Sequence, residues 1–547
     1  MRYPFHFGLV AVAYAAPQVK IGKTTLFGRD VTGLKQDFFG GIPYAEPPLG
    51  DLRLKFPVLK TELDSPSFDA SNFGSSCLQP GLPVPLLSED CLTINVFRPS
   101  NLLPDAKLPV VRPSINKRCS HGGGFLYGSS TEYNASLIVA RSVARGTPLI
   151  CVSFNYRLGP LGYPQGKEAA HQRSLNLGLR DQIAALEWVQ HNIDAFGGDK
   201  NKVTIAGESA GAIMNSILYL NSPLDKLVRG AILESGSQAT STNFYPKRRE
   251  GNWENFVAGV ESCASTATSG HTFDCLRTAN ELEIYSGIMN SIKKSPEVFP
   301  FFPTIDGPGG LYPDVPSRLF SRGKFARVPF ISGTNLDEGT MFVPPKINSE
   351  EEIRQYIIAN YSPPIVPPAE LDRAVDTLLQ LYPDIPALGS PFNTGDETFH
   401  LPSSFKRISA LVGDLWFQSQ RRFWQQTATK AGVKSWGYLF THSDPFLHPP
   451  FLGVAHSDEV TYVYGVPNDP SPSSHSLSKV MMDYWISFVT SLDPNDGKGD
   501  ERPLWEQYAS DNERLIQFDG DGIKMIDDSF RKAQMDYINS IPLVFLH

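Results

Sequence analysis

Lys202-Val-Thr-Ile-Ala-Gly-Glu-Ser-Ala-Gly-Ala-Ile-Met-Asn-Ser-Ile-Leu-Tyr-Leu220 is the stretch from which the rest of the chain can be read. Val203, Thr204 and Ile205 favour a strand, and Gly207-Glu-Ser-Ala-Gly211 follows at once. Ala212, Ile213, Met214, Ile217 and Leu218 then recur at helical spacing until Asn221-Ser-Pro223 ends the helix. A serine between two glycines at a strand-to-helix turn is a nucleophile elbow. The turn is too tight for side chains at the glycine positions, and it lifts the Ser209 hydroxyl above the carboxyl end of a parallel sheet. With 45 glycines among 547 residues the motif alone is weak. Its weight comes from the strand before it, the helix after it, and the lack of a second copy.

The composition is that of an ordinary soluble globular protein, 41% hydrophobic and 19% charged. A net charge of −8 and a pI near 5.8 argue against nucleic acid as a partner. Arg2 followed by the apolar run Phe5 to Ala13 reads as a secretory leader. Ala13-Tyr-Ala15 fits a cleavage site, so residues 1–16 are expected to be a signal peptide and the mature chain to begin near Ala16 or Pro17. The expected location is therefore extracellular. No later stretch is apolar for long enough to span a membrane, and the C-terminal residues are no retention signal. Nothing calls for a metal or a cofactor.

Six cysteines in a secreted chain invite pairing. Cys77 and Cys91 would close one short loop and Cys263 and Cys275 another, each bridge worth about 3 kcal/mol. Cys151 reads as a buried free thiol in an apolar strand, which leaves Cys119 without a partner. Asn134-Ala-Ser136 and Asn360-Tyr-Ser362 are glycosylation sequons.

Along the chain, Val19–Lys23 and Thr25–Gly28 read as short strands of an antiparallel edge. Phe39-Gly-Gly-Ile-Pro-Tyr-Ala-Glu-Pro-Pro-Leu-Gly50 reads as a packed loop, being too rich in proline for regular structure. Strand and helix then alternate between about 105 and 240, which implies a parallel sheet with crossover helices. Helical insertions are expected between 240 and 320 and between 345 and 430. The reading is one large α/β domain spanning residues 17–547.

An activated serine needs a base, a carboxylate to orient that base, and backbone N–H groups aimed at the developing oxyanion. In α/β-hydrolase order the acid and the histidine follow the serine. Seven histidines do so. His456, in the loop Gly453-Val-Ala-His, and His442 both come after a predicted strand, and His456 is preferred. Asp337 and Glu338 both lie just beyond another strand, and spacing does not separate them. His121-Gly-Gly-Gly124 can bring its backbone close to a ligand.

These segments, together with Glu89-Asp-Cys-Leu92 and Asn155-Tyr-Arg-Leu-Gly159, resemble the type-B carboxylesterase/lipase family. That family has the α/β-hydrolase fold and includes cholinesterases and fungal lipases and esterases. The resemblance runs from about residue 18 to the C-terminus and is nearest to the secreted fungal esterases. It implies Ser209 as nucleophile, Glu338 as acid and His456 as base, with Gly123, Gly124 and the N–H of Ala210 as oxyanion hole. It also matches Cys77–Cys91 and Cys263–Cys275 to two family disulfides. The function implied is cleavage of small-molecule or lipid esters through an acyl-enzyme. An interfacial lipase or sterol esterase is the alternative, and the short Cys77–Cys91 loop favours soluble esters over it. A non-enzymatic adhesion protein fits less well, because all three triad residues are present. No oligomeric state and no particular acyl or alcohol group is implied.

One segment departs from the family. The strand beginning Leu108-Pro-Val-Val111 should run within a few residues into the glycine triplet, yet Arg112-Pro-Ser-Ile-Asn-Lys-Arg-Cys-Ser120 intervenes. Pro113 and three cationic residues do not suit a buried parallel strand. A retained intron would explain them and the odd Cys119; a genuine insertion would impair the oxyanion hole. The intron reading expects the mature transcript to lack codons 112–120, and a spliced message that retains them would refute it.

Overall fold

The computed structural model describes residues 16–114, 123–132, 134–240, 244–520 and 522–547. Most of the leader, Cys119, His121 and Gly122 lie outside the described residues. The strands are β1 (Gln18–Ile21), β2 (Thr24–Phe27), β3 (Arg29–Val31), β4 (Gln36–Pro43), β5 (Ser67–Asp69), β6 (Thr93–Pro99) and β7 (Leu108–Ser114). They continue as β8 (Ile150–Phe154), β9 (Gly198–Glu208), β10 (Gly230–Glu234), β11 (Phe330–Asn335), β12 (Ser435–Phe440), β13 (Arg514–Phe518) and β14 (Lys524–Asp527).

Eleven of these form one sheet in the order β14-β13-β12-β11-β10-β9-β7-β8-β6-β4-β3. From β13 to β8 every neighbouring pair is parallel. Both ends of the sheet are antiparallel. The parallel strands are apolar on both faces, as a sheet covered on both sides requires. Val110, Ile205, Leu233 and Phe330 enter one core with the helices Leu177–Asn192 and Ala210–Asn221. Their neighbours Val111, Ala206, Ile232 and Ile331 enter a second core with the helix Pro472–Ser491. A third cluster holds the helices Glu350–Tyr361, Pro368–Leu381 and Ser403–Gly413 of the later insertion. Disulfides join Cys77 to Cys91 and Cys263 to Cys275, and Cys151 is free and buried.

Three expectations need correction. β1 and β2 do pair antiparallel, but they form a separate sheet with β5. Residues Phe39 to Pro43 are not loop but the second half of β4, which pairs with β6 through an irregularity between Phe39 and Ile42. There the N–H of Gly41 turns to the Asn95 side chain (3.0 Å), so the two glycines bend the strand instead of ending it. The third concerns Arg112 and Pro113. β7 continues through both, pairing them with Ile205 and Ala206 of β9.

Arg112 is consequently fully buried. Its guanidinium lies 3.6 Å from the Phe154 ring centroid, and Nη2 donates to the Gln182 carbonyl at 3.2 Å. Among the described residues Nε and Nη1 find no hydrogen-bond partner. Burial pushes its pKa down to about 9. A cation held in the core with two of its three nitrogens unpartnered among the described residues opposes folding. Arg112→Met keeps the bulk and removes the charge, so it is expected to raise stability by about 1–4 kcal/mol. Urea unfolding at neutral pH measures this: an unchanged midpoint would show that the buried charge costs nothing, and a lower one that the guanidinium stabilises the strand.

Candidate active site

Parallel strands deliver their carboxyl ends to one edge, and the loops leaving β9, β11 and β12 meet there. Between β9 and the helix Ala210–Asn221, Ser209 has φ +52° and ψ −123°, a conformation that non-glycine residues avoid. Its N–H donates to the Glu234 carbonyl at 2.9 Å, which ties the turn to β10. At Gly207 a Cβ would lie 2.6 Å from the carbonyl carbon of Gly211. The two glycines of the motif are therefore in mutual contact, and neither strand nor helix can retreat.

His456 Nε2 lies 2.8 Å from Ser209 Oγ, and its Nδ1 lies 2.5 Å from Glu338 Oε2. The imidazole is completely buried. Phe342 and Phe417 cover it, with ring centroids at 5.0 and 4.9 Å. Glu338 is aimed by the N–H of Asn335, which donates to its Oε1 at 2.8 Å. Glu208 is also close, its Oε1 3.2 Å from His456 Nε2 and 2.5 Å from Ser457 Oγ. Burial pulls the His456 pKa down, but the charges of Glu338 and Glu208 outweigh it and raise the pKa above the ordinary value.

The geometry separates the pairs that spacing left open. His442 bonds Ser474 at 2.9 Å and is not at Ser209. Asp337 accepts hydrogen bonds from Ser390 Oγ (2.7 Å) and from the N–H groups of Phe392 (2.8 Å) and Val454 (2.9 Å). It fastens the histidine loop and leaves the imidazole to Glu338. Burial raises the Asp337 pKa to about 6 against those three donors. His448, half-buried, holds the same loop through Asp458 at 2.9 Å.

A pocket of about 720 Å³, partly open to solvent, lies against Ser209. Gly124 and Ala210 line it with the serine. A Cβ on Gly124 would fall 2.0 Å from the Phe299 ring, so this place admits only glycine. Gly123 is described beside it, its carbonyl accepting from the N–H groups of Leu126 and Tyr127 at 2.7 and 2.9 Å. Much of the remaining wall is aromatic: Phe299, Phe302, Phe342, Trp416 and Phe417. None of these was picked out from the sequence, since they come from two insertions and the turn after Glu338 and share no periodicity. Trp416 and Phe417 sit in a π-helical turn, Asp414–Gln418, which widens the helix where it meets the pocket. Glu208 was visible inside the elbow motif but its contacts were not. Of the two sequons, Asn134 is exposed, whereas Asn360 lines the pocket and donates to the Tyr356 carbonyl at 2.8 Å.

The sequence signature of the carboxylesterase family matches residues 15–538. The chain belongs to the carboxylesterase family. Lipase 2 of Geotrichum candidum is 33% identical, the alignment covering 96% of this chain and 95% of that one. Secreted lipase 1 of Botryotinia fuckeliana is 34% identical over 96% of this chain and 93% of its own. The crystal structure of Aspergillus niger EstA superposes with a TM-score of 0.83 at 27% identity, covering 97% and 99% of the two chains. This member of the carboxylesterase family is accordingly a carboxylic ester hydrolase with the α/β-hydrolase fold.

Among the described residues no group of histidine, cysteine or acidic side chains is placed to hold a metal ion, and no helix is long and apolar enough to cross a membrane. The charge on Glu338 is what most strongly counters the burial of His456. Glu338→Gln is therefore expected to lower the pH at which His456 titrates, followed by NMR with labelled histidine. An unshifted titration would mean that Glu208 alone sets it.

Proposed function

We propose that this carboxylesterase is a secreted serine hydrolase whose triad is Ser209, His456 and Glu338. The observation that carries the proposal is the chain of contacts Ser209 Oγ, His456 Nε2, His456 Nδ1, Glu338 Oε2, at 2.8 and 2.5 Å, buried under two aromatic rings. In this reading His456 takes the Ser209 proton as Oγ attacks the ester carbonyl. Glu338 fixes the imidazole in the tautomer with the proton on Nδ1 and stabilises the imidazolium that forms. The N–H groups of Gly123, Gly124 and Ala210 receive the oxyanion, each worth roughly 100- to 1000-fold in rate. His456 then returns the proton to the leaving alcohol. Water, deprotonated by the same imidazole, releases the acid and frees Ser209.

The base must be neutral to act. Because Glu338 and Glu208 raise the His456 pKa, the neutral form is lost as pH falls through a value above the ordinary one for histidine. Residues 1–16 serve as the secretion signal in this proposal and 17–547 as one hydrolase domain. The names of the two fungal relatives support export for one and lipase activity for both. A lipase preference is the second reading, favoured by those names and by the aromatic pocket.

Ser209→Ala should reduce hydrolysis of p-nitrophenyl butyrate by about 10⁴-fold or more. Equal activity in both proteins would reject Ser209 as nucleophile. Butyrate hydrolysed faster than palmitate, with no gain at an oil–water interface, is expected of the esterase; the reverse pattern selects the lipase.

A further inference from the structure

The pocket beside Ser209 is apolar except at one wall. There Arg249, only 3% exposed, closes the 3₁₀ turn Pro246–Arg249 and lines the pocket with Thr240, Glu297 and Asn360. Its guanidinium lies 3.7 Å from the centroid of Phe302, whose ring packs 6.2 Å from that of Phe125, the neighbour of Gly124. Two rings thus separate the cation from the glycine loop.

Arg249 Nε donates to Glu297 Oε2 at 3.0 Å. That carboxylate is shared: Oε1 pairs with Arg248 at 2.9 Å, and Oε2 also accepts from Asn252 at 3.1 Å. Two guanidinium groups therefore face one carboxylate, which leaves a positive charge unbalanced. Among the described residues the buried Nη1 of Arg249 meets no acceptor. A role confined to packing accounts for the bond to Glu297 but for neither the surplus charge nor the unmet donor. An alkyl acyl chain packed against this wall would displace water from the guanidinium and leave the surplus charge unanswered, which is costly.

We infer that Arg249 is a specificity-determining residue that receives a carboxylate carried by the substrate at a distance from the scissile ester. Monoesters of medium-chain dicarboxylic acids are the substrate class. The free carboxylate meets the guanidinium in a charge-assisted hydrogen bond, while the esterified end reaches Ser209 across the aromatic wall. Glu297 opposes this by competing for the same cation. The inference rests on the esterase reading of this pocket.

The test compares kcat/KM for monoethyl suberate and ethyl octanoate in the full chain and in Arg249→Met, Arg249→Lys and Glu297→Gln. The suberate-to-octanoate ratio should fall about tenfold or more in Arg249→Met, chiefly through KM. Arg249→Lys should restore part of it, and Glu297→Gln should raise it above the parent value. A ratio unchanged in Arg249→Met would assign Arg249 a packing role and overturn the inference. If that variant does not fold, an unchanged or lower ratio in Glu297→Gln does the same. A parent protein that hydrolyses octanoate or p-nitrophenyl butyrate but not suberate refutes the inference alone; one that hydrolyses none of the three refutes the esterase reading.

Discussion

The constraint on which this structure depends is a buried imidazole held between a hydroxyl and a carboxylate. His456 has no side-chain exposure, so its position relies entirely on protein contacts and not on water. Ser209, Glu338 and His456 come from three loops separated by more than a hundred residues of chain. Only a sheet whose strands run the same way can gather them, because β9, β11 and β12 then end at the same edge. Once gathered, the loops are fastened to one another. Asp337 binds the histidine loop and the Ser390–Phe392 segment together. Asn335 aims Glu338 with its N–H and holds the Ala455 carbonyl with its side chain at 2.6 Å.

Placing carboxylates around a buried histidine creates a charge problem, since Glu208, Glu234, Glu338 and Glu459 are all buried. Like charges in a dry interior are relieved by protonation. Burial raises Glu234 to about 8, and burial together with its acidic neighbours holds Glu459 well above the carboxylate range. Glu234 is then a neutral acid near pH 7, and both carboxyl groups are drawn toward the protonated form. They act as hydrogen-bonding struts, Glu234 to Trp485 Nε1 and Glu459 to Asn335 Nδ2, each at 2.6 Å. The negative charge that remains is concentrated where the imidazole can use it.

This division explains what was legible in the sequence. The elbow was, because Gly207, Ser209 and Gly211 constrain one another within five residues. The partners of Ser209 were not legible from spacing alone. Asp337 and Glu338 are adjacent on a loop, and which of them faces His456 depends on where Val454 and Phe392 lie, far off in sequence. Family resemblance singled out Glu338 and His456, which lie against each other with His456 Nδ1 2.5 Å from Glu338 Oε2. The pocket wall was illegible for a different reason. Phe299 and Trp416 belong to separate insertions and Phe342 follows the Glu338 turn, and only tertiary packing puts them in one surface. β4 was misread because glycine and proline ordinarily end strands, whereas here a side-chain amide replaces the missing ladder bond.

The interrupted segment before the glycine loop can be approached from its two ends. β7 brings Ser114 level with Gly207, so the first three of the extra residues, Arg112 to Ser114, extend the strand to a place beside the elbow. Beyond them, Gly123 and Gly124 are held by contacts that owe nothing to β7. The Gly159 N–H donates to the Phe125 carbonyl at 2.7 Å, and the Gly128 N–H to Gln79 Oε1 at 2.6 Å. Phe125 packs edge-on against Tyr163 at 5.1 Å, and Phe299 closes over Gly124. The strain of the departure therefore falls on Arg112, inside the sheet, rather than on the glycines that face the serine.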